Sequence, residues 1–208
     1  MAITDAQKLS LYNNGLAFIS EGPLGSLTEN RGPRRVLDRL WDSGAVRYCL
    51  EQGLWNFATR VAKLSYDPSI ETSFGYRRVF RKPNDYVRTV AVNSDEYFRS
   101  LFTAYDDKGG FLYADIDDIF FAYVSDASEY GLDYTVWTEN FKRYVEAYLG
   151  IRACKQVTGA EPSDKMLREL KKLESSARSK DALNLGSKAL PTGTWVRARS
   201  SNFSRENG

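Results

Sequence analysis

The stretch WNFATRV, residues 55–61, marks the point at which the chain changes from helical to extended periodicity. Before it, Leu37 and Trp41 recur at helical spacing after Pro33, a residue suited to the first turn of a helix. Gly53 then indicates the end of this second helix. After it come short segments rich in β-branched and aromatic residues, which is the pattern of strands. The chain therefore begins with helices and enters a β-rich region here.

Helical patterns lie on both sides of the β-rich region. Residues 5–19 form the first pattern, with Thr4 placed to cap it, and residues 133–158 form the third. A fourth, strongly charged helix opens at residues 162–164. Between the second and third helices we predict five or six strands, with a hairpin turn in the Gly-Gly segment of residues 107–110. The sequence thus predicts an α+β fold, in which an α-helical bundle of about four helices holds an inserted small antiparallel β-sandwich or barrel lobe.

The same pattern divides the chain into regions. Residues 1–54 and 133–186 are assigned to the helical bundle, residues 55–132 to the β-rich lobe, and residues 187–208 to an extended C-terminal arm. The arm, SKALPTGTWVRARSSNFSRENG, has no helical period and too little apolar surface to offset its own ordering entropy.

Five residues of the arm form a candidate partner-binding site: Pro191, Trp195, Val196, Arg197 and Arg199. An aromatic anchor flanked by arginines contributes to binding only when it is buried against something else. We therefore expect the arm to fold when it binds a neighbouring protein. The alternative is a frayed terminus.

Composition limits the partners of the folded body. The net charge is +2, and the arm alone contributes +3, so the remaining residues sum to −1. A body this close to neutral is not typical of a dedicated nucleic-acid-binding protein. Two basic clusters, in residues 34–39 and 77–82, have acids nearby in sequence and favour solvated faces. No stretch approaches the roughly 18 apolar residues of a membrane span, and the N-terminus has no secretion pattern, so we expect no membrane partner.

The sequence offers little for catalysis. It holds no histidine, which removes the commonest general base and the commonest zinc ligand. The densest acidic cluster, residues 115–118, fails as a calcium loop because Ile119 and Phe120 stand where an acid or Asn and then Gly are required. Cys49 and Cys154 fall in helical patterns, so we expect reduced, buried thiols. We predict no catalytic, cofactor or metal site, and a protein that is not an enzyme.

The run LDRLWDSGAVRYCLEQGLWNFATRVA, residues 37–62, resembles the head-to-tail adaptor proteins of tailed bacteriophages. The likeness is closest to the tail tubular protein A group of short-tailed phages. In that family an early helix ends in a stretch of the form hxWNFAxR that enters the β lobe. The matching residues here are Leu54, Trp55, Asn56, Phe57, Ala58 and Arg60.

A second stretch, GYRRVFRKPNDYVRTV in residues 75–90, is similar to the strand–turn–strand segment GYxYxYxLPxDxLRV of the same family. The corresponding residues are Gly75, Tyr76, Pro83, Asp85 and Arg88. One departure is Lys82, which stands where the family favours an apolar residue. The two late helices and a terminal GxWxxAR complete the order, and the residues of that last motif here are Gly193, Trp195, Ala198 and Arg199.

The resemblance implies a structural virion protein. Such adaptors form a ring, typically of 12 copies, that joins the capsid portal to the tail and forms part of the DNA ejection channel. The bundle and the C-terminal segment would engage the portal, while the lobe would face the tail. Expected partners are therefore the portal protein, a tail nozzle or tube protein and other copies of the chain, with double-stranded DNA passing without specific binding. The expected location is the virion neck or tail, after assembly in the bacterial host cytoplasm.

We also expect four aromatic residues in the structural core. Trp55 and Phe57 would be buried where the second helix meets the lobe, and Trp137 and Phe141 lie on the apolar stripe of the third helical pattern. Two other functions stay open: another neck or tail ring component such as a tail terminator, and a DNA-binding protein that acts through its basic tail. An enzyme with a divalent ion at Asp115 and Asp117 is a third reading of the acidic cluster.

Overall fold

A computed structural model describes residues 3–70, 72, 75–99 and 102–184 of the chain. Within this part, five α-helices and two antiparallel sheets of three strands each are present, which confirms the predicted α+β class. The predicted arm, residues 187–208, lies outside the described residues, and the domain boundaries stay predictions.

The helices are arranged around one central member. They are α1 (Asp5–Phe18), α2 (Gly32–Asp42), α3 (Ala45–Glu51), α4 (Glu139–Thr158) and α5 (Asp164–Leu183). The other four helices all pack on α4. α1 and α4 approach each other closely, since a Cβ added to Gly150 would lie 2.3 Å from the carbonyl oxygen of Gly15. Only glycine therefore allows these two backbones to cross at this distance.

The predicted single helix over residues 33–53 is wrong, because the structure divides it into α2 and α3. Gly44, which was expected inside the helix, lies between them with φ of 91°. This left-handed conformation suits glycine and breaks the helical hydrogen-bond pattern. The break lets both Leu37 of α2 and Leu50 of α3 reach the same hydrophobic core. The third predicted helix likewise begins later than expected, at Glu139, where the Thr138 side chain accepts the N–H of Phe141.

The β lobe consists of two sheets. Its strands are β1 (Thr59–Ser65), β2 (Arg78–Arg81), β3 (Tyr86–Asn93), β4 (Tyr105–Lys108), β5 (Phe111–Ala114) and β6 (Asp118–Ser125). The strand orders are β1-β6-β3 in one sheet and β2-β5-β4 in the other. The predicted hairpin is present between β4 and β5, and its two turn residues, Gly109 and Gly110, both have positive φ. That combination matches the twist of the flanking strands.

Two hydrophobic clusters meet at β6. Its residues Ile119, Phe121 and Tyr123 pack with Phe80 and Leu112 of the second sheet and form the core of the lobe. The next residue along β6, Val124, belongs instead to the core of the helical bundle. The same strand thus contributes side chains to both cores, because alternate residues of a strand point to opposite faces.

Candidate functional site

The candidate site is the junction where the helical bundle meets the β lobe. The five arm residues predicted to bind a partner, Pro191, Trp195, Val196, Arg197 and Arg199, lie outside the described residues. However, α5 is the helix that precedes the arm, and its last turn is attached to this junction. The junction therefore fixes the position of the end of α5, the last described helix before the arm.

The attachment of α5 depends on Asp181, a carboxylate that is only 2% exposed. One carboxylate oxygen of Asp181 accepts the backbone N–H of Asn56 at 2.6 Å, and the Asn56 side chain donates to the Asp181 carbonyl at 2.6 Å. Burial raises the pKa of Asp181, although the backbone N–H groups of Asn56 and Phe57 lower it in part. The buried carboxylate accepts hydrogen bonds from these backbone donors, which offsets part of the cost of its burial.

An aromatic cluster lies beneath this attachment. Trp55 and Phe141 are fully buried and their rings meet edge to face, with centroids 4.7 Å apart. Trp137 is also buried, and its ring is perpendicular to that of Phe141 at 4.9 Å. Phe57 packs on Phe141 at 4.9 Å but is only half-buried. Phe57, which was expected in the structural core, is thus a partly buried residue that packs against that core.

The indole of Trp55 also terminates α3. Its Nε1 donates to the carbonyl oxygens of Leu50 at 3.0 Å and Cys49 at 3.2 Å. These carbonyls belong to the last turn of the helix, where the intrahelical partners run out. Gly53 makes this arrangement possible, since a Cβ at that position would lie 2.7 Å from the indole ring. The side chain thus joins the end of α3 to the start of the lobe.

On the lobe side, Asp85 is the centre of a hydrogen-bond network. Its carboxylate accepts from Arg60 at 2.9 Å, from the Tyr123 hydroxyl at 3.1 Å and from the Ser125 hydroxyl at 2.5 Å. Burial raises the pKa of Asp85, but the hydrogen bonds that its carboxylate accepts, from Ser125, Arg60 and Tyr123 among others, together outweigh burial and the pKa is lowered. Burial and the charge of Asp85 raise the pKa of Tyr123 to about 12. The network therefore holds an ionised carboxylate between β1, β3 and β6.

Two arginines connect the helices to the lobe directly. Arg47 of α3 forms an ion pair with Asp126 and donates to the Tyr86 carbonyl at 2.7 Å. Arg88 of β3 donates to the carbonyl of Glu51, the last residue of α3, at 2.9 Å. The lobe is thus tied to α3 by charged hydrogen bonds in addition to its shared core.

The acidic cluster of the sequence is paired with basic residues. Asp117 forms an ion pair with Arg78 at 2.8 Å, and Asp118 forms one with Lys63 at 2.9 Å. Asp115 accepts the backbone N–H of Arg77 at 2.8 Å. Among the described residues, no group of three or more potential metal ligands is present. The three carboxylates therefore connect strands and turns of the lobe through exposed contacts, each of which contributes little to stability.

The structure accommodates Lys82 at a position where the motif that the chain resembles has an apolar residue. Its side chain is only 8% exposed, and its ammonium pairs with Asp107 at 2.7 Å and lies 4.0 Å from the centre of the Tyr86 ring. The aliphatic stem can thus occupy a position that suits an apolar residue, while the charge is neutralised at the end.

Sequence reasoning missed Arg47, Asp126 and Asp181. Each lies in a stretch that reads as an ordinary charged segment, and each finds its partner far along the chain, so periodicity carries no signal for it. Asn56, Arg60, Asp85 and Arg88 were singled out in the two motifs, although their common location could not be seen from spacing. Cys49 and Cys154 are both free and buried.

The chain matches no protein-family model, and no curated protein is significantly similar to it. None of the helices in the described residues is long and apolar enough to cross a membrane.

Proposed function

We propose that this protein is a structural virion component, a head-to-tail adaptor that forms a ring between the capsid portal and the tail. One observation carries the proposal. Four residues of the two motifs that resemble the adaptor family, Asn56, Arg60, Asp85 and Arg88, all take part in the hydrogen bonds of one junction between bundle and lobe. Two motifs that are separated in sequence by residues 61–74 thus have a shared structural role.

The junction suits the proposed task. A subunit between two protein partners has to hold one face towards each of them in a fixed relative orientation. Buried aromatics, the Arg47–Asp126 ion pair and a central strand common to both cores oppose rotation of the lobe on the bundle. In the proposed ring the bundle faces the portal and the lobe faces the tail nozzle or tube protein.

The arm is assigned to assembly. Residues 187–208 would order on the portal or on a neighbouring copy, with Trp195 as anchor and Arg197 and Arg199 paired with acids. The near-neutral body would form part of the ejection channel without retaining DNA. Tight contacts with the phosphates would slow the passage of the DNA, and a near-neutral surface does not favour such contacts. On this proposal the protein is not an enzyme and acts in the neck of the virion, after assembly in the bacterial cytoplasm.

The test is sedimentation of the purified chain with DNA-packed, tailless capsids. We expect stable co-sedimentation, and we expect its loss when residues 187–208 are deleted. A matched control keeps the arm and replaces Lys165 and Lys171, exposed residues of α5, by Ala. The control should bind capsids like the unmodified chain. If the truncated chain still attached to capsids as the unmodified chain does, the proposed role of the arm in capsid binding would be wrong.

Two outcomes would favour the other functions. If the chain ignores capsids but binds free DNA with a steep dependence on salt, it is a DNA-binding protein that acts through its basic tail. If it binds assembled tails and not capsids, it is another ring component such as a tail terminator.

A further inference from the structure

The last helix, α5, is much less buried than α4, the helix on which it packs. Both helices contain 20 residues, but nine residues of α4 are buried and only two of α5, Ala177 and Asp181. Three further apolar residues of α5 pack on the bundle core while partly exposed: Met166, Leu170 and Leu173. Since local stability follows the apolar area that an element buries, α5 is held to the bundle more weakly than the other long helix.

The charged residues of α5 do not connect it to the rest of the protein. In the described part of the chain, its ion pairs lie within the helix and join Lys172 to Glu169 and Arg178 to Glu174. Pairs at this spacing support the helix itself by a small amount. They persist when α5 separates from α4, so they do not oppose such a separation.

Hydrogen bonds attach α5 to other elements only in its C-terminal half. Asp181 and Asn56 form two, each at 2.6 Å, and the side-chain nitrogen of Asn140 donates to the hydroxyl of Ser176 at 3.3 Å. Ser176 is exposed, whereas Asp181 is 2% exposed. Among the described residues, the main polar attachment of α5 is therefore Asp181, at the end far from the turn that joins α5 to α4.

Most of that turn is fastened to α4. The carbonyl of Ala160 accepts the thiol of Cys154 at 3.5 Å, and Glu161 forms an ion pair with Lys155. Only residues 162–163 then remain before α5 begins. Rotation of the backbone in this short segment would move α5 as a unit without disturbing α4, which is the arrangement of a hinge.

We propose that α5 is a strap that opens as one unit about residues 162–163, and that Asp181 is the catch that holds it closed. Opening breaks the hydrogen bonds between Asp181 and Asn56 and separates the apolar side of α5 from α4. Helices α1 to α4 and the lobe stay folded. The place at which the following C-terminal segment joins the folded protein moves with the strap. The inference does not depend on the adaptor function.

The test is hydrogen–deuterium exchange of the full chain at pH 7, followed for individual amides by NMR. The hydrogen-bonded amides in residues 168–183 of α5 should exchange at least ten times faster, relative to their intrinsic rates, than those in residues 143–158 of α4. Low concentrations of urea should accelerate exchange in α4 and have little effect in α5, because a local opening exposes little surface.

Variants at two positions separate opening of the strap from unfolding of the whole chain. Asp181→Ala should accelerate exchange in α5 at least fivefold, whereas Asp181→Asn, which keeps an acceptor for the Asn56 N–H, should not accelerate it. The matched control is Leu11→Val, which shortens a fully buried side chain of α1. Leu11 stays packed whether the strap is open or closed. The control should therefore accelerate exchange in α4 at least threefold and leave exchange in α5 within twofold of the unmodified protein.

Three results would overturn the inference. Equal protection of α4 and α5 with the same urea dependence would mean that α5 opens only when the whole protein unfolds. Equal acceleration of both helices by Leu11→Val would mean the same. Unchanged exchange of α5 in Asp181→Ala would show that Asp181 is not the catch.

Discussion

Replacement of Trp55 by Ala tests whether the junction depends on the aromatic cluster. The side chain is fully buried, and a buried tryptophan removes roughly 250 Å² from water, which at about 25 cal/mol per Å² is an upper limit near 6 kcal/mol. Alanine retains part of that area, and measured losses for such truncations are about 3–5 kcal/mol. The variant also deprives the carbonyls of Leu50 and Cys49 of the indole N–H. We expect the free energy of unfolding to fall by about 4 kcal/mol.

The assay is urea denaturation at pH 7 followed by far-ultraviolet circular dichroism, with Phe57→Ala as the matched comparison. Phe57 belongs to the same cluster but is half-buried, so its truncation should cost about half as much, roughly 2 kcal/mol. Trp55→Phe separates the hydrogen bonds from the packing and should cost about 1–2 kcal/mol. A loss below about 1 kcal/mol for Trp55→Ala would refute the burial argument, as would a larger loss for Phe57→Ala than for Trp55→Ala.

Three further predictions concern the same junction and use the same unfolding assay. Gly53→Ala should destabilise the fold by about 1–3 kcal/mol, because the added Cβ would lie 2.7 Å from the Trp55 ring. Asp181→Ala should cost about 1–3 kcal/mol at pH 7, because it leaves the Asn56 N–H without an acceptor. Asp181→Asn keeps an acceptor and removes the cost of a buried charge, so it should be at least as stable as the unmodified protein. The pKa of Asp85 is lowered in the fold, so the contribution of its carboxylate to stability is present above the unfolded pKa near 4 and is lost as pH falls through the folded value. Asp85→Asn should therefore make the unfolding free energy less dependent on pH below 4.

Each of these predictions has a clear opposing result. A tolerated Gly53→Ala would mean that the indole moves without cost. If Asp181→Asn destabilised the protein as much as Asp181→Ala, the negative charge itself would be required. If the unfolding free energy of Asp85→Asn fell with pH below 4 as steeply as that of the unmodified protein, other carboxylates would account for the loss of stability at low pH.

The helices and the hairpin could be predicted because their signals are local. The Gly109-Gly110 turn is encoded by two adjacent residues that accept positive φ, and the N-termini of the first and last helices are marked by Thr4 and Ser163, whose side chains accept backbone N–H groups. The break at Gly44 was missed because a glycine within a helical pattern can be tolerated or can end the helix. Contacts of the two neighbouring segments with α4 determine which of these occurs.

The junction could not be predicted as a site. The motif residues Asn56, Arg60, Asp85 and Arg88 were recognised, but their convergence depends on β6 lying between β1 and β3. The partner of Asn56 is Asp181, 125 residues further along the chain. No periodicity connects residues at that separation, because the contact exists only after α5 has packed on α4.

By itself, the sequence determined the α+β class, the succession of a helical, a β-rich and a second helical region, the hairpin turn and the basic composition of the C-terminal segment. These follow from side-chain period, turn chemistry and composition, which act over a few residues. The tertiary structure alone decided the strand orders β1-β6-β3 and β2-β5-β4 and the hydrogen-bond partners of Asp85 and Asp181. Those features arise from contacts between distant segments, whose free energy depends on burial and geometry that the linear pattern does not contain.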